Sequence, residues 1–319
     1  MTIFSNGKVI LLGEHAVVYD RPALAMGLQQ GMAVESLEPV DDEAVVEVRE
    51  WNLAARESDE TDLGRVIRKS LESSGGRKYR VIVRSSLPRG AGLGSSAALS
   101  VLLVKTAASI AGRDLSLGEV RQAAHEMEKL FHGSPSGLDD TLATYGGLCV
   151  FKRTGWSDHD MTGPLNGCER LSTEAIRLRD HPPTLVLAFS GETRPTKEMV
   201  RMVRLRWEQD RDQVEEWFDR IAELTRKGLK ALSENFLMDL GEAMVQNHEL
   251  LARLGLSSAG VDQLVEAAMS HGALGAKLTG GGGGGCVIAL APGDEETVMD
   301  AWRSMGFKAW IADREGLRD

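Results

Sequence analysis

Apolar residues recur along this chain in runs whose period changes from segment to segment. KVILL near the start reads as a strand, and in YRVIVRS the residues Tyr79, Val81 and Val83 share one face by period-two alternation. The second strand runs through Leu87 and Pro88 into PRGAGLGSSAAL, and AALSVLLVKTAASIA then predicts a helix, starting near Ser96 and ended by Gly112. Ser116 and Glu119 form a capping-box pattern opening a helix to about Phe131, which leads into HGSPSGLDD, read as a loop carrying two acids. From about Thr184, TLVLAFS predicts a further strand between Pro182, Pro183 and Gly191. It sets a domain boundary near residue 181, giving domains 1–180 and 181–319. Between Lys197 and Leu232 a helical stripe runs through Val200, Val203, Trp207, Val214, Phe218, Ile221 and Leu224. A helix from about 261 to 270 precedes the strand GAKL, six consecutive glycines and the strand CVIAL. The chain shows neither an internal repeat nor a low-complexity tail.

Composition narrows the function classes. Over 319 residues, 42% hydrophobic and 26% charged is the balance of a globular protein. The formal net charge of −10 disfavours nonspecific nucleic-acid binding, yet leaves room for an anionic small molecule held by a few lysines, backbone amides and a cation. The first apolar run is broken by Gly13, Glu14 and His15, which suits neither a signal peptide core nor a membrane span and predicts a cytoplasmic protein. Cys149, Cys168 and Cys286 lack the spacing of a disulfide framework or a zinc site and read as free thiols.

Three segments carry chemistry. In PRGAGLGSSAAL, Gly90, Gly92 and Gly94 allow backbone to approach a bulky anion while the helix start directs unpaired amides at it. The segment is neither a Walker motif nor a Rossmann GxGxxG, since Ser95 stands where the third Gly belongs. SNGKVILLGEHAVVY puts Lys8 at the head of a strand and Glu14 and His15 at the turn after it. EKLFHGSPSGLDDTLATYGG offers Glu128 near a helix end and Asp139 in a loop, two acids that suit Mg²⁺ and an alcohol proton. The glycine run, with strands tight on both sides, reads as a loop that comes close to a ligand or to another loop.

Together and in this order, the three segments resemble the GHMP kinase family, named for galacto-, homoserine, mevalonate and phosphomevalonate kinases. GKVILLGEHAVVY and HGSPSGLDDTLATYGG are similar to the mevalonate kinases in particular. The resemblance implies a two-domain α+β fold with the active site in the interdomain cleft, ATP as co-substrate and Mg²⁺ as cofactor. The implied reaction moves the ATP γ-phosphoryl group to the 5-hydroxyl of mevalonate in isoprenoid biosynthesis, without nucleic acid or membrane; a homodimer is compatible with it. Position by position, it implies catalysis by Asp139 and Lys8, and nucleotide binding by Pro88, Gly90, Ala91, Gly92, Leu93, Gly94, Ser95, Ser96 and Ala97. Ser96 and Glu128 would hold Mg²⁺, and Glu14, His15 and Thr196 would line the mevalonate site. The loop from Gly280 to Gly284 would support the phosphate loop. The chain departs from the family at Asp140 (usually Asn), Gly281 (usually Ala) and Ser134 (usually Asn).

Alternatives are another GHMP-type kinase (phosphomevalonate or homoserine kinase), the related decarboxylase, and a nucleotide sensor that has kept the fold without the chemistry. A serine hydrolase built on Ser96, Asp139 and His248 lacks the final Gly of a nucleophile elbow, where Ala98 stands. A metalloprotease reading of HEMEK fails at Lys129.

Overall fold

A computed structural model describes residues 2–157, 163–166, 168–178 and 183–312. Strand β1 (Phe4–Leu12) pairs antiparallel with β2 (Ala23–Val40), a strand of 18 residues that is long enough to change partners along its length. Its first residues also pair with β6 (Leu148–Phe151), and its second half pairs with β5 (Lys78–Ser85). Strands β3 (Val45–Val48) and β4 (Leu53–Arg56) extend the sheet beyond β5, and β8 (Ala175–Arg177) and β7 (Glu169–Arg170) extend it beyond β6. A second, antiparallel sheet has the order β10 (Gly275–Leu278), β11 (Cys286–Leu290), β9 (Val186–Phe189), β12 (Lys308–Ile311). The first sheet therefore ends at Arg177 and the second begins at Val186; the boundary expected near residue 181 falls outside the described residues.

Helices cover these sheets as their patterns require. Before the middle of the chain come α1 (Asp62–Ser70), α2 (Ser95–Ala111), α3 (Leu117–His132) and α4 (Leu138–Tyr145). The later ones are α5 (Thr196–Gln209), α6 (Arg211–Ser233), α7 (Leu237–Arg253), α8 (Ala259–Ser270) and α9 (Glu295–Ser304). Helix α2 is buried from Ala97 to Val104 and ends at Gly112 in a left-handed cap. The Ser116–Glu119 capping box forms with both of its hydrogen bonds. Tyr79, Val81 and Val83 all face the core.

Three readings of local structure need correction. The stripe from Lys197 to Leu232 is two helices, because Asp210 leaves helical geometry at φ −141° and its carboxylate caps Gln213 N at 3.4 Å, starting α6. Lys8 lies within β1, held in the ladder opposite Gly27, and not at the strand's head. Asp139 and Asp140 sit in the first turn of α4, not in a loop, since Gly137 at φ +94° turns the chain directly into the helix.

One seam joins the two halves. Ile10 N donates to Thr279 Oγ1 at 2.8 Å, and the same hydroxyl donates to Ile10 O at 3.2 Å. Nearby, Lys277 Nζ donates to the carboxylate of Glu14 and to Leu278 O at 2.6 Å, with Glu14 and Lys277 both fully enclosed. Burial pulls the Lys277 ammonium below its ordinary pKa while the adjacent Glu14 carboxylate opposes the shift. The second Glu14 oxygen accepts from Asn247 Nδ2 at 3.1 Å.

Candidate active site

The phosphate-loop candidate is fixed by three successive carbonyls. Ala91 O accepts from Cys286 N at 3.0 Å, Gly92 O from Lys8 Nζ at 3.0 Å, and Leu93 O from Lys8 N at 3.0 Å. Gly90, Gly92 and Gly94 have φ of 70°, 81° and 73°, a conformation that side chains rarely adopt. Space is short as well as conformation: a Cβ on Gly94 would lie 2.8 Å from Lys8 Cγ. Helix α2 begins at Ser95, and its first backbone bond runs from Ala98 N to Gly94 O at 2.9 Å. The amides of Ser95, Ser96 and Ala97 therefore precede the helical ladder, at the positive end of the helix dipole. Pro88 leads into this loop from the end of β5, while Ala91 and Leu93 anchor it in the core.

The glycine run forms the opposing loop, coming from the second half. A Cβ on Gly280 would fall 2.6 Å from Gly92 O, and one on Gly92 would fall 2.7 Å from Thr279 O. Only glycine lets the two backbones meet this closely. Within the run, Gly281 does not need a positive φ; a Cβ there would press on Thr196 Oγ1 at 3.1 Å. Thr196 is the first residue of α5, exposed beside the loop.

Beneath the phosphate loop, Lys8 Nζ lies 3.3 Å from Asp139 Oδ2, with the lysine side chain 4% exposed and the aspartate 36% exposed. A buried cation thus faces an accessible carboxylate in the first turn of α4. Next to it, Ser96 Oγ donates to Glu128 Oε2 at 3.0 Å and Ser100 Oγ donates to Glu128 Oε1 at 3.0 Å. Burial, and then the charge of Asp139, push the Glu128 carboxyl up to about 8 against the pull of both serines. A cation beside Glu128 would remove that penalty, and hydroxyl and carboxylate oxygens are the hard donors Mg²⁺ takes. The donor set fits Mg²⁺. Among the described residues no group of three or more His, Cys, Asp or Glu could hold a metal ion.

His15 has φ +58°, and its Nε2 lies 3.0 Å from Gly281 O, so the turn after β1 is tied to the glycine loop. Burial takes its pKa down to about 4, opposed by the Gly281 hydrogen bond. Glu14 has both oxygens engaged inside the protein by Lys277 and Asn247. Asp140 is buried behind Asp139, 3.2 Å from His125 Nδ1 and 3.9 Å from Arg121; burial raises its pKa and His125 opposes.

Sequence reasoning missed Lys277, Asn247 and His132. Lys277 left one signal, a lone charge in the apolar strand GAKL. His132 left another, standing one helical turn after Glu128, and its Nε2 is 2.9 Å from Ser96 Oγ. Burial lowers its pKa, with Asp139 pulling the other way. The hydrolase arrangement does not form: His248 faces Leu278 N and Asp262, and His132 turns a single nitrogen to both Ser96 and Glu128. A Ser–His–acid relay needs the acid on the other ring nitrogen.

The chain matches two family descriptions, "GHMP kinases N terminal domain" over residues 62–147 and "GHMP kinases C terminal" over residues 229–308. It is 34% identical to a mevalonate kinase of Pyrococcus horikoshii, over 98% of this chain and 95% of the relative. A mevalonate kinase of Methanothermobacter thermautotrophicus is 33% identical over 93% and 94%. Among solved structures, L. major mevalonate kinase in complex with R-mevalonate shares the fold at TM-score 0.78 and 22% identity, covering 99% of this chain and 97% of that one. The loop through Gly90, Gly92 and Gly94, the lysine–aspartate pair below it and the glycine run against it thus stand in a chain that belongs to the GHMP kinase family, in its mevalonate kinase branch.

Proposed function

We propose that this kinase transfers the γ-phosphoryl group of ATP to the primary 5-hydroxyl of mevalonate, giving 5-phosphomevalonate. The observation that carries the proposal is the Lys8–Asp139 pair, 3.3 Å apart, directly under the loop whose Gly92 carbonyl the same lysine holds. Phosphoryl transfer asks a protein mainly for positioning and charge neutralisation, and both are supplied here. The amides at the start of α2 bind the ATP phosphates. Ser96 and Glu128 would hold Mg²⁺, which when bound neutralises charge on the phosphates. Lys8 pairs with the Asp139 carboxylate and faces the developing charge, and Asp139 takes the alcohol proton as the new O–P bond forms and the bond from the γ-phosphorus to ADP breaks.

His15 and Thr196 are assigned to the acceptor side, flanking Gly281 from the two halves. Glu14, next to His15 in the chain, has its carboxylate held by Lys277 and Asn247. The cysteines are unbridged, in keeping with a cytoplasmic setting, and no helix of the described residues is long and apolar enough to cross a membrane.

The test is Mg²⁺-dependent ADP release with mevalonate, phosphomevalonate, homoserine and galactose offered in turn. Selective turnover of mevalonate is expected. Turnover of a different alcohol would keep the family and overturn the substrate, and tight ATP binding without any turnover would favour a sensor.

A further inference from the structure

The Ser96–Glu128 pair has a third partner that the reaction as proposed leaves unused. His132 closes α3 four residues after Glu128, and Gly133 at φ +76° turns the chain away immediately after it. This geometry sends the imidazole back over the preceding turn. Nε2 comes to 2.9 Å from Ser96 Oγ and 3.6 Å from Glu128 Oε2, with 29% of the side chain exposed.

Counting hydrogens assigns the roles. A serine hydroxyl has one hydrogen and two lone pairs. The Ser96 hydrogen goes to Glu128 Oε2 at 3.0 Å, so the group at 2.9 Å is an Nε2–H donating to one lone pair of Oγ. The other lone pair remains for the cation. Ser100, on the far carboxylate oxygen, pins Glu128 from its opposite side.

We propose that His132 is a positioning residue that fixes the Ser96 hydroxyl for the divalent cation of phosphoryl transfer, by donating Nε2–H to Ser96 Oγ. The inference rests on the reading of Ser96 and Glu128 as the cation's protein donors. Partners of this kind set the orientation of a metal ligand, and their removal commonly lowers metal affinity by about 10- to 100-fold. Replacement by glutamine keeps an N–H at the reach of Nε2, whereas alanine removes it.

The experiment measures Mn²⁺ affinity from the electron paramagnetic resonance signal of free Mn²⁺, with a non-hydrolysable ATP analogue present. Wild type, Ser96→Ala, His132→Ala and His132→Gln are compared, and each is melted without cation. Ser96→Ala and His132→Ala should each weaken Mn²⁺ binding about tenfold or more, and His132→Gln should stay within about threefold of wild type. Melting of His132→Ala should stay within about 2 °C of wild type, as for a partly exposed side chain outside the apolar core. Wild-type affinity in His132→Ala, with Ser96→Ala impaired, would overturn the role of His132 and leave the cation site standing. Wild-type affinity in Ser96→Ala would overturn both. Equal loss in His132→Gln and His132→Ala would overturn the hydrogen-bond assignment.

Discussion

Replacing Lys277 with methionine removes the only cation bonded to Glu14 among the described residues and leaves its carboxylate sealed between the two halves of the molecule. Neither residue has any solvent exposure, so water cannot take the place of the ammonium. Breaking a buried pair by deleting one partner costs about 3–5 kcal/mol, most of it the desolvation of the charge left behind. For a chain of this size about 1 kcal/mol corresponds to roughly 2 °C, so Lys277→Met should melt about 6–10 °C below wild type. The companion variant Glu14→Gln/Lys277→Met leaves no orphan charge and keeps an amide for the Asn247 contact. It should recover at least about 2 kcal/mol of the loss, because a neutral pair of similar volume avoids the desolvation penalty. Differential scanning calorimetry at neutral pH reads both. A Lys277→Met protein melting within about 2 °C of wild type, or a double variant no better than the single one, would refute this account of the seam.

Further outcomes follow from the same geometry. Gly280→Ala places a Cβ 2.6 Å from Gly92 O at a φ of +84° and should raise the KM for ATP about tenfold or more; Gly281→Ala, with no positive φ, should raise it far less, as steady-state kinetics would report. His15 titrates near 4 in the folded chain against an ordinary 6.5, so the unfolded chain binds the extra proton between those values. Its contribution is complete above about pH 6.5 and is lost as pH falls towards 4; between pH 7 and 5 wild type should lose about 2 kcal/mol that His15→Gln does not, read from urea midpoints. Glu128→Gln removes the charge that would bind the cation and should raise the Mg²⁺ concentration for half-maximal rate by about tenfold or more, seen in a Mg²⁺ titration at saturating ATP.

Much of this site could be read from the chain because its parts are local. The glycines at 90, 92 and 94 and the helix after them follow from a few consecutive residues, as do the capping box at Ser116 and Gly112 as a helix end. Asp139 was misplaced in a loop because HGSPSG has loop composition right up to Gly137, and nothing local says that the following residues enter a helix at once. The break at Asp210 was hidden by an apolar stripe whose phase continues across it, though Asp is a natural helix cap. Lys277, Asn247 and Glu14 meet across more than 230 positions, a pairing that periodicity cannot encode. Strand β2 escaped notice because its partners change midway, so its residues follow no single alternation.

The central claim is that Asp139, paired with Lys8, takes the proton of an alcohol while ATP sits on the loop above. The most direct measurement is a single-turnover reaction of enzyme, Mg²⁺-ATP and mevalonate, with wild type and Asp139→Asn compared and ATP binding measured separately by calorimetry. The account predicts 5-phosphomevalonate from wild type, a rate at least about 100-fold lower in Asp139→Asn, and ATP affinity within about threefold in both. Near-normal transfer by Asp139→Asn would contradict it.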